Sequence, residues 1–64
     1  MKINIGDVLI TKQQNTILVV DINKLNGMLR GIYSGETEIR NVGYESNINI
    51  AVESGHWKHF PVKQ

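Results

Sequence analysis

TILVVDI, at residues 16–22, is the stretch that decides the fold of this chain. Its β-branched residues favour a strand, and its apolar run predicts burial on both faces, as in the central strand of a sheet. VLIT at residues 8–11 predicts a strand before it, and the polar residues 12–15 predict the connecting loop. The N-terminal part of the chain therefore begins with two predicted strands joined by a polar loop.

A turn signal follows this stretch. Asn26-Gly27 stands between Leu25 and Met28 and is the preferred pair for a two-residue type I′ hairpin, in which both positions need positive φ. Residues 28–33 form the predicted returning strand, with Gly31 as a candidate bulge or tight bend. After a second turn at Ser34-Gly35, residues 36–42 predict a solvated strand that ends at Gly43.

The segment at residues 46–54 supports two interpretations. Ile48, Ile50 and Val52 alternate, which favours a strand followed by a Ser54-Gly55 hairpin turn. The same residues fit a short helix that ends with Gly55 in the left-handed conformation. Both interpretations lead into a final strand at residues 57–62, where Pro61 marks an edge or an ending.

Five or so short strands joined by tight turns in about 60 residues predict a mainly β fold closed into a small barrel. Residues 5–9, IGDVL, resemble the opening of SH3-like small barrels, and the order of the predicted strands is similar to that superfamily. The resemblance implies one SH3-like five-stranded barrel over residues 1–64, with at most one helical turn within 44–55. The short chain with its single Trp57 also looks like accessory proteins of phages and mobile elements.

Composition narrows the classes of function. The 64 residues contain no cysteine, so disulfides and thiolate metal sites are excluded, and His56 and His59 are too few for a structural zinc site unless two carboxylates join them. We therefore expect no metal and no cofactor. The formal net charge of +1 lacks the basic excess of dedicated DNA-binding domains. Because so short a chain has a small core, we expect a homo-oligomer.

Location is constrained by what the sequence lacks. The longest apolar run, residues 17–20, is far short of a membrane span, and no signal peptide is visible near the start. The absence of cysteine fits a reducing compartment. We expect a cytoplasmic protein without membrane contact.

No catalytic constellation stands out. Ser34, Ser46 and Ser54 lie in turn-like contexts, without an activating motif. Glu36 and Glu38 share a strand face, but on a solvated strand they are best interpreted as a charged edge that resists strand pairing. The chain is therefore not expected to be an enzyme.

The notable cluster is GHWKHFP at residues 55–61. On a strand, Trp57 and His59 share one face, whereas Lys58 and Phe60 share the other. Trp57 faces inward if it lies opposite Val52, and the converse facing stays open. With Trp57 inward, an exposed Phe60 beside the Lys58 stem forms an apolar patch with a charged rim, the usual anatomy of a contact site.

The candidate partner-binding residues are therefore Phe60, Lys58, Tyr44 and Arg40, the last two joining if the preceding strand or turn is adjacent. The leading hypothesis is a small non-catalytic module that binds a larger protein partner and modulates it, as a phage-encoded inhibitor would. A barrel that binds nucleic acid through interleaved aromatic and cationic side chains is the alternative. A nucleotide-sequestering oligomer is the second alternative.

Overall fold

The computed structural model describes residues 2–62 as one antiparallel sheet with a helix inserted before its last strand. The strands lie in the order β4-β3-β2-β1-β5. The elements are β1 (Val8–Ile10), β2 (Thr16–Ile22), β3 (Met28–Tyr33), β4 (Ile39–Tyr44), α1 (Glu45–Glu53) and β5 (Lys58–Phe60). This architecture confirms the predicted class, a small mainly β domain of five strands.

The core lies on one face of the sheet and under the helix. The side chains that form it come from the N-terminal segment, three strands and α1: Ile3, Leu9, Ile17, Val19, Leu29 and Ile48. Trp57 and Tyr33 are among the half-buried side chains that pack around them. One sheet and one short helix thus enclose a single apolar layer.

β2 is the central strand, as predicted, but the expectation that both of its faces are buried is wrong. Ile17 and Val19 are buried, whereas Leu18 between them is 43% exposed. Burial of both faces requires elements that pack on both sides of the sheet, as in parallel sheets covered by helices. Here α1 covers one side, so the sequence ILVV leaves an apolar side chain in solvent.

The turn between β2 and β3 differs from the two-residue hairpin predicted from Asn26-Gly27. Five residues, 23–27, separate the strands. The Asn23 side chain accepts hydrogen bonds from the backbone N–H groups of Leu25 and Asn26, and the Gly27 N–H donates to the Asn23 carbonyl. Gly27 has φ +80°, whereas Asn26 keeps a negative φ. The local bonds of Asn23 have replaced the tight turn with a wider one.

Gly31 is needed for close strand packing. A Cβ at this position would lie 2.6 Å from the Leu18 carbonyl oxygen and 2.7 Å from Cγ2 of Ile17. The register irregularities lie beside it, between Val19 and Asp21 on β2 and between Leu29 and Arg30 on β3. Gly31 therefore marks a close approach flanked by bulges rather than a bulge of its own.

The C-terminal part resolves the two interpretations in favour of the helix. α1 runs for nine residues, which is longer than the single turn expected, and the strand interpretation is wrong. Ile48 on α1 is buried against Gly43, and Gly55 adopts φ +85° just beyond the helix. The N–H groups of Gly55 and His56 donate to the Val52 and Ala51 carbonyls, which closes the helix end.

One further boundary differs from the prediction. β4 begins at Ile39 rather than at residue 36, because Glu36 belongs to the turn, where its N–H donates to the Tyr33 carbonyl. No helix within residues 2–62 is long and apolar enough to cross a membrane.

Candidate partner-binding surface

β5 has the facing that the sequence indicated. Trp57, just before the strand, packs against the core, and His59 is nearly buried. Lys58 and Phe60 point the other way, and Phe60 is 49% exposed. Two of the candidate binding residues are therefore neighbours on one solvent-facing strand surface.

The registers of the sheet extend this surface across all five strands. Phe60 pairs with Val8, Val8 with Leu18, Leu18 with Ile32, and Ile32 with Ile39. Directly opposed residues in antiparallel strands share a face, with Cβ atoms about 4.5–5.5 Å apart. We call these five residues the outer row: Phe60, Val8, Leu18, Ile32 and Ile39.

The outer row is apolar and lies on the side of the sheet away from the core. Leu18 is flanked by the buried Ile17 and Val19, so its side chain must point outward. Ile39, at the far end of the row, is 48% exposed, similar to Phe60 and Leu18. Val8 and Ile32, which lie between these three, are partly buried. Single exposed apolar residues are ordinary, but a contiguous apolar strip with several exposed members marks an interaction site or an assembly surface.

Arg40 and Tyr44 do not join Phe60 and Lys58 through strand pairing. They lie on β4, and the strand order places β4 and β5 at opposite edges of the sheet. The expected adjacency of the two strands is therefore wrong, because β5 pairs with β1 and not with the strand that precedes it in the chain.

Arg40 is also engaged within its own edge of the sheet. Its Nη1 atom donates to Oε2 of Glu36 at 2.9 Å, and its guanidinium lies 4.3 Å from the centroid of the Tyr33 ring. Tyr44 is half-exposed opposite Met28. As residues that border the Phe60 and Lys58 patch, Arg40 and Tyr44 are not brought together with it by the strand order, and their part in partner binding stays a prediction.

Asp7 holds β5, and with it Phe60, in place. The carboxylate is fully buried, and its Oδ2 atom lies 2.7 Å from Nε2 of His59. It also accepts hydrogen bonds from the N–H of Asn4 at 2.9 Å and from the N–H of Val62 at 2.8 Å. Asp7, in the segment before β1, thus binds His59 and Val62, which lie on either side of Phe60 in the chain.

The electrostatics of Asp7 reflect these contacts. Burial by itself raises the pKa of the Asp7 carboxyl, but the hydrogen bonds from Asn4, His59 and Val62 outweigh burial and hold the pKa below its ordinary value of 3.8. The carboxylate is therefore charged in the folded protein, and His59 is its close partner. Both side chains are buried, which is consistent with a structural role for the pair.

No group of three His, Cys, Asp or Glu side chains within residues 2–62 is arranged to hold a metal ion. Comparison with known proteins gives no further assignment: no family model, no curated protein and no solved structure gives a significant match to the chain. The resemblance to SH3-like barrels stays a prediction.

Sequence reasoning found Phe60 and Lys58 but missed four members of the outer row, Val8, Leu18, Ile32 and Ile39. The signal for Leu18 was present, because a seven-residue strand with apolar residues at consecutive positions must expose some of them in a small domain. The alignment of the four with Phe60 depends on register across three pairings, which a single sequence does not specify.

Proposed function

We propose that the chain is a small non-catalytic interaction module that binds a larger protein through the outer row. The observation that carries the proposal is the continuity of five apolar side chains across every strand of the sheet on the solvent side. Phe60 stands at one end of the row and supplies the aromatic anchor that is common among hot spots of protein interfaces.

The composition of the row favours a protein partner over nucleic acid. Four of its five members are aliphatic, and aliphatic side chains pack against apolar protein surface, whereas single-stranded nucleic acid requires stacking on aromatic rings. The net charge of +1 adds little general attraction for phosphate. Binding through a compact surface without chemistry of its own modulates the larger protein by covering it, and inhibition is the outcome that we propose.

The apolar outer row of so small a chain also favours self-association. We propose that the protein is a homo-oligomer when its partner is absent, with the outer row buried between copies. Phage origin and a cytoplasmic location remain expectations from the sequence.

The experiment is capture of host-cell protein on three immobilised forms: the wild type, Leu18→Lys and Ile50→Lys. Leu18→Lys places a charge in the middle of the outer row. Ile50→Lys makes the same change at another exposed apolar side chain, on α1, which is 64% exposed. We expect one partner to be retained by the wild type and by Ile50→Lys and lost from Leu18→Lys, with circular dichroism showing all three folded.

Raised salt separates the proposal from its rival. A contact made by the outer row should survive the increase, whereas nucleic acid should be released steeply as counterions compete. Capture that is indifferent to Leu18→Lys, or that consists of nucleic acid lost at high salt, would overturn the proposal.

A further inference from the structure

A pocket of basic character lies at the end of the sheet where β1 turns into β2 and the chain enters β5. It is a half-open cavity of about 240 Å³. We call it the basic pocket and define it by the residues that line it: Ile10, Thr11, Lys12, Gln14, Gly55, His56 and Lys58.

The charge of this pocket has one sign. Lys12, His56 and Lys58 are its titratable side chains, and none of the described residues that line it is Asp or Glu. The larger cavity near the N-terminus, of about 490 Å³, has mixed charge, because Lys2, Lys24 and Glu45 all line it. The basic pocket is therefore the cavity whose lining selects for an anion.

Two fixed backbone segments form its walls. On one side, Thr11 closes the β1–β2 loop: its N–H donates to the Asn15 carbonyl, and its Oγ1 accepts from the Asn15 N–H. Gln14 adopts φ 69°, the one left-handed non-glycine residue within residues 2–62. On the other side, the helix end holds His56 through its N–H bond to Ala51. A cavity with such walls is formed before a ligand arrives.

The basic pocket is continuous with the outer row. Ile10 pairs with Lys58 across β1 and β5, one step along the same face from the Val8–Phe60 pair. A partner that covers Phe60 therefore reaches Lys58 with a side chain two residues farther along. Because the neighbouring surface is aliphatic, the anion that fits here belongs to a protein.

We propose that the basic pocket binds an acidic side chain of the protein that covers the outer row, so that the partner presents Asp or Glu directly beside apolar residues. This inference rests on the proposed function and adds the chemistry of the partner to it. The carboxylate lies between Lys12 and Lys58, and its placement sets the orientation of the partner along the strands.

The test is a selection of random peptides displayed on ribosomes against four forms of the protein. They are the wild type, the double variant Lys12→Glu/Lys58→Glu, the control Lys2→Glu/Lys24→Glu with the same change in net charge, and Leu18→Lys. Circular dichroism first verifies that each is folded, which we expect because all five substituted side chains are exposed.

The inference predicts peptides with Asp or Glu next to apolar residues from the wild type and the Lys2/Lys24 control. The Lys12/Lys58 variant should select apolar peptides without the acidic residues. A peptide selected on the wild type should bind that variant roughly tenfold more weakly, the effect of reversing two exposed charges.

The results that would overturn the inference fall into three groups, which point to different failures. If the wild type selects apolar peptides without acidic bias, or if the Lys12/Lys58 variant selects the same acidic bias, the basic pocket does not bind a carboxylate. The proposed function would be unaffected by either result. If no peptide is enriched on the wild type, or if Leu18→Lys enriches peptides equally well, the outer row is not the binding surface and the proposed function is refuted too. Binding of oligothymidine that is lost in the Lys12/Lys58 variant would assign the pocket to nucleic acid.

Discussion

At the scale of single residues, Asp7 connects more of the chain than any other polar side chain described. It accepts hydrogen bonds from groups that lie three, 52 and 55 residues away in sequence, and it has no exposure to solvent. Because a buried carboxylate without partners is costly, these bonds must form together with the core.

Asp7→Asn should therefore destabilise the domain. An amide presents one acceptor oxygen where the carboxylate presents two, so at least one donor among Asn4, Val62 and His59 faces an NH₂ group. The loss should be about 3 kcal/mol, the usual result of removing one member of a buried pair. Urea unfolding monitored by Trp57 fluorescence measures it, and Asp21→Asn, on an exposed side chain, should change the free energy of unfolding by less than about 0.5 kcal/mol. Equal effects of the two changes would contradict the role given to Asp7.

The lowered pKa of Asp7 predicts a dependence of stability on acid. The folded-state pKa lies below 3.8, so the stability that Asp7 contributes is present above pH 3.8. As the pH falls below that value, the unfolded state binds the proton first, and the contribution is lost as the pH passes through the folded-state pKa. Urea unfolding between pH 7 and pH 3 should show this loss in the wild type. A profile of equal slope in Asp7→Asn would show that other carboxylates cause it.

At the scale of elements, α1 is a helix because of what it packs against. Ile48 is 4% exposed and Ile50, two residues later, is 64% exposed, although the two side chains are identical. The helical period places one against Gly43 and the core and the other in solvent.

This difference gives a matched pair of variants. Ile48→Ala should lower the free energy of unfolding by about 2–4 kcal/mol, because it leaves a cavity in a small core. Ile50→Ala should change it by less than about 0.5 kcal/mol. Chemical unfolding of the two proteins decides the matter, and similar losses in both would favour the strand interpretation, in which Ile48 and Ile50 share a face.

The elements that the sequence predicted well are those with local causes. β2 and β3 are rich in β-branched and apolar residues, with Asp21, Arg30 and Gly31 as the exceptions, and their bounds match the prediction. The turn at residues 23–27 was mispredicted because Asn23, outside the Asn-Gly pair, competes for its N–H groups. α1 was ambiguous because alternation and helical spacing coincide in so short a segment, and burial of Ile48 decides between them.

At the scale of the whole molecule, an architecture with a helix on one side of the sheet explains the candidate site. One sheet with one helix has a single covered face, so apolar residues on the other face remain in solvent. The two-residue period of a strand placed Phe60 and Lys58 on one face. The reason given for turning that face outward, a strand pair of Trp57 with Val52, is wrong because Val52 lies on α1. The sequence could not predict that Arg40 and Tyr44 lie at the opposite edge, because strand order depends on contacts distant in sequence.

The same surface leads us to expect self-association of the free protein. Burial of the outer row between copies would remove Leu18, Phe60 and Ile39 from water, and small domains gain stability in this way. Sedimentation equilibrium at micromolar concentration should give a mass above that of the 7.2 kDa chain, and Leu18→Lys should reduce it. A wild-type species of 7.2 kDa would contradict the expectation.

The central claim is that the outer row binds a partner and is dispensable for folding, and the most direct test is the retention of the captured partner by Phe60→Ala. Phe60 is half-exposed on the outer row, whereas Trp57 packs against the core, so Trp57→Ala serves as the comparison. We predict that Phe60→Ala keeps the melting temperature of the wild type within a few degrees and loses the partner, and that Trp57→Ala unfolds the domain. Phe60→Ala that unfolds while Trp57→Ala merely loses binding, or Phe60→Ala that retains the partner fully, would contradict the account.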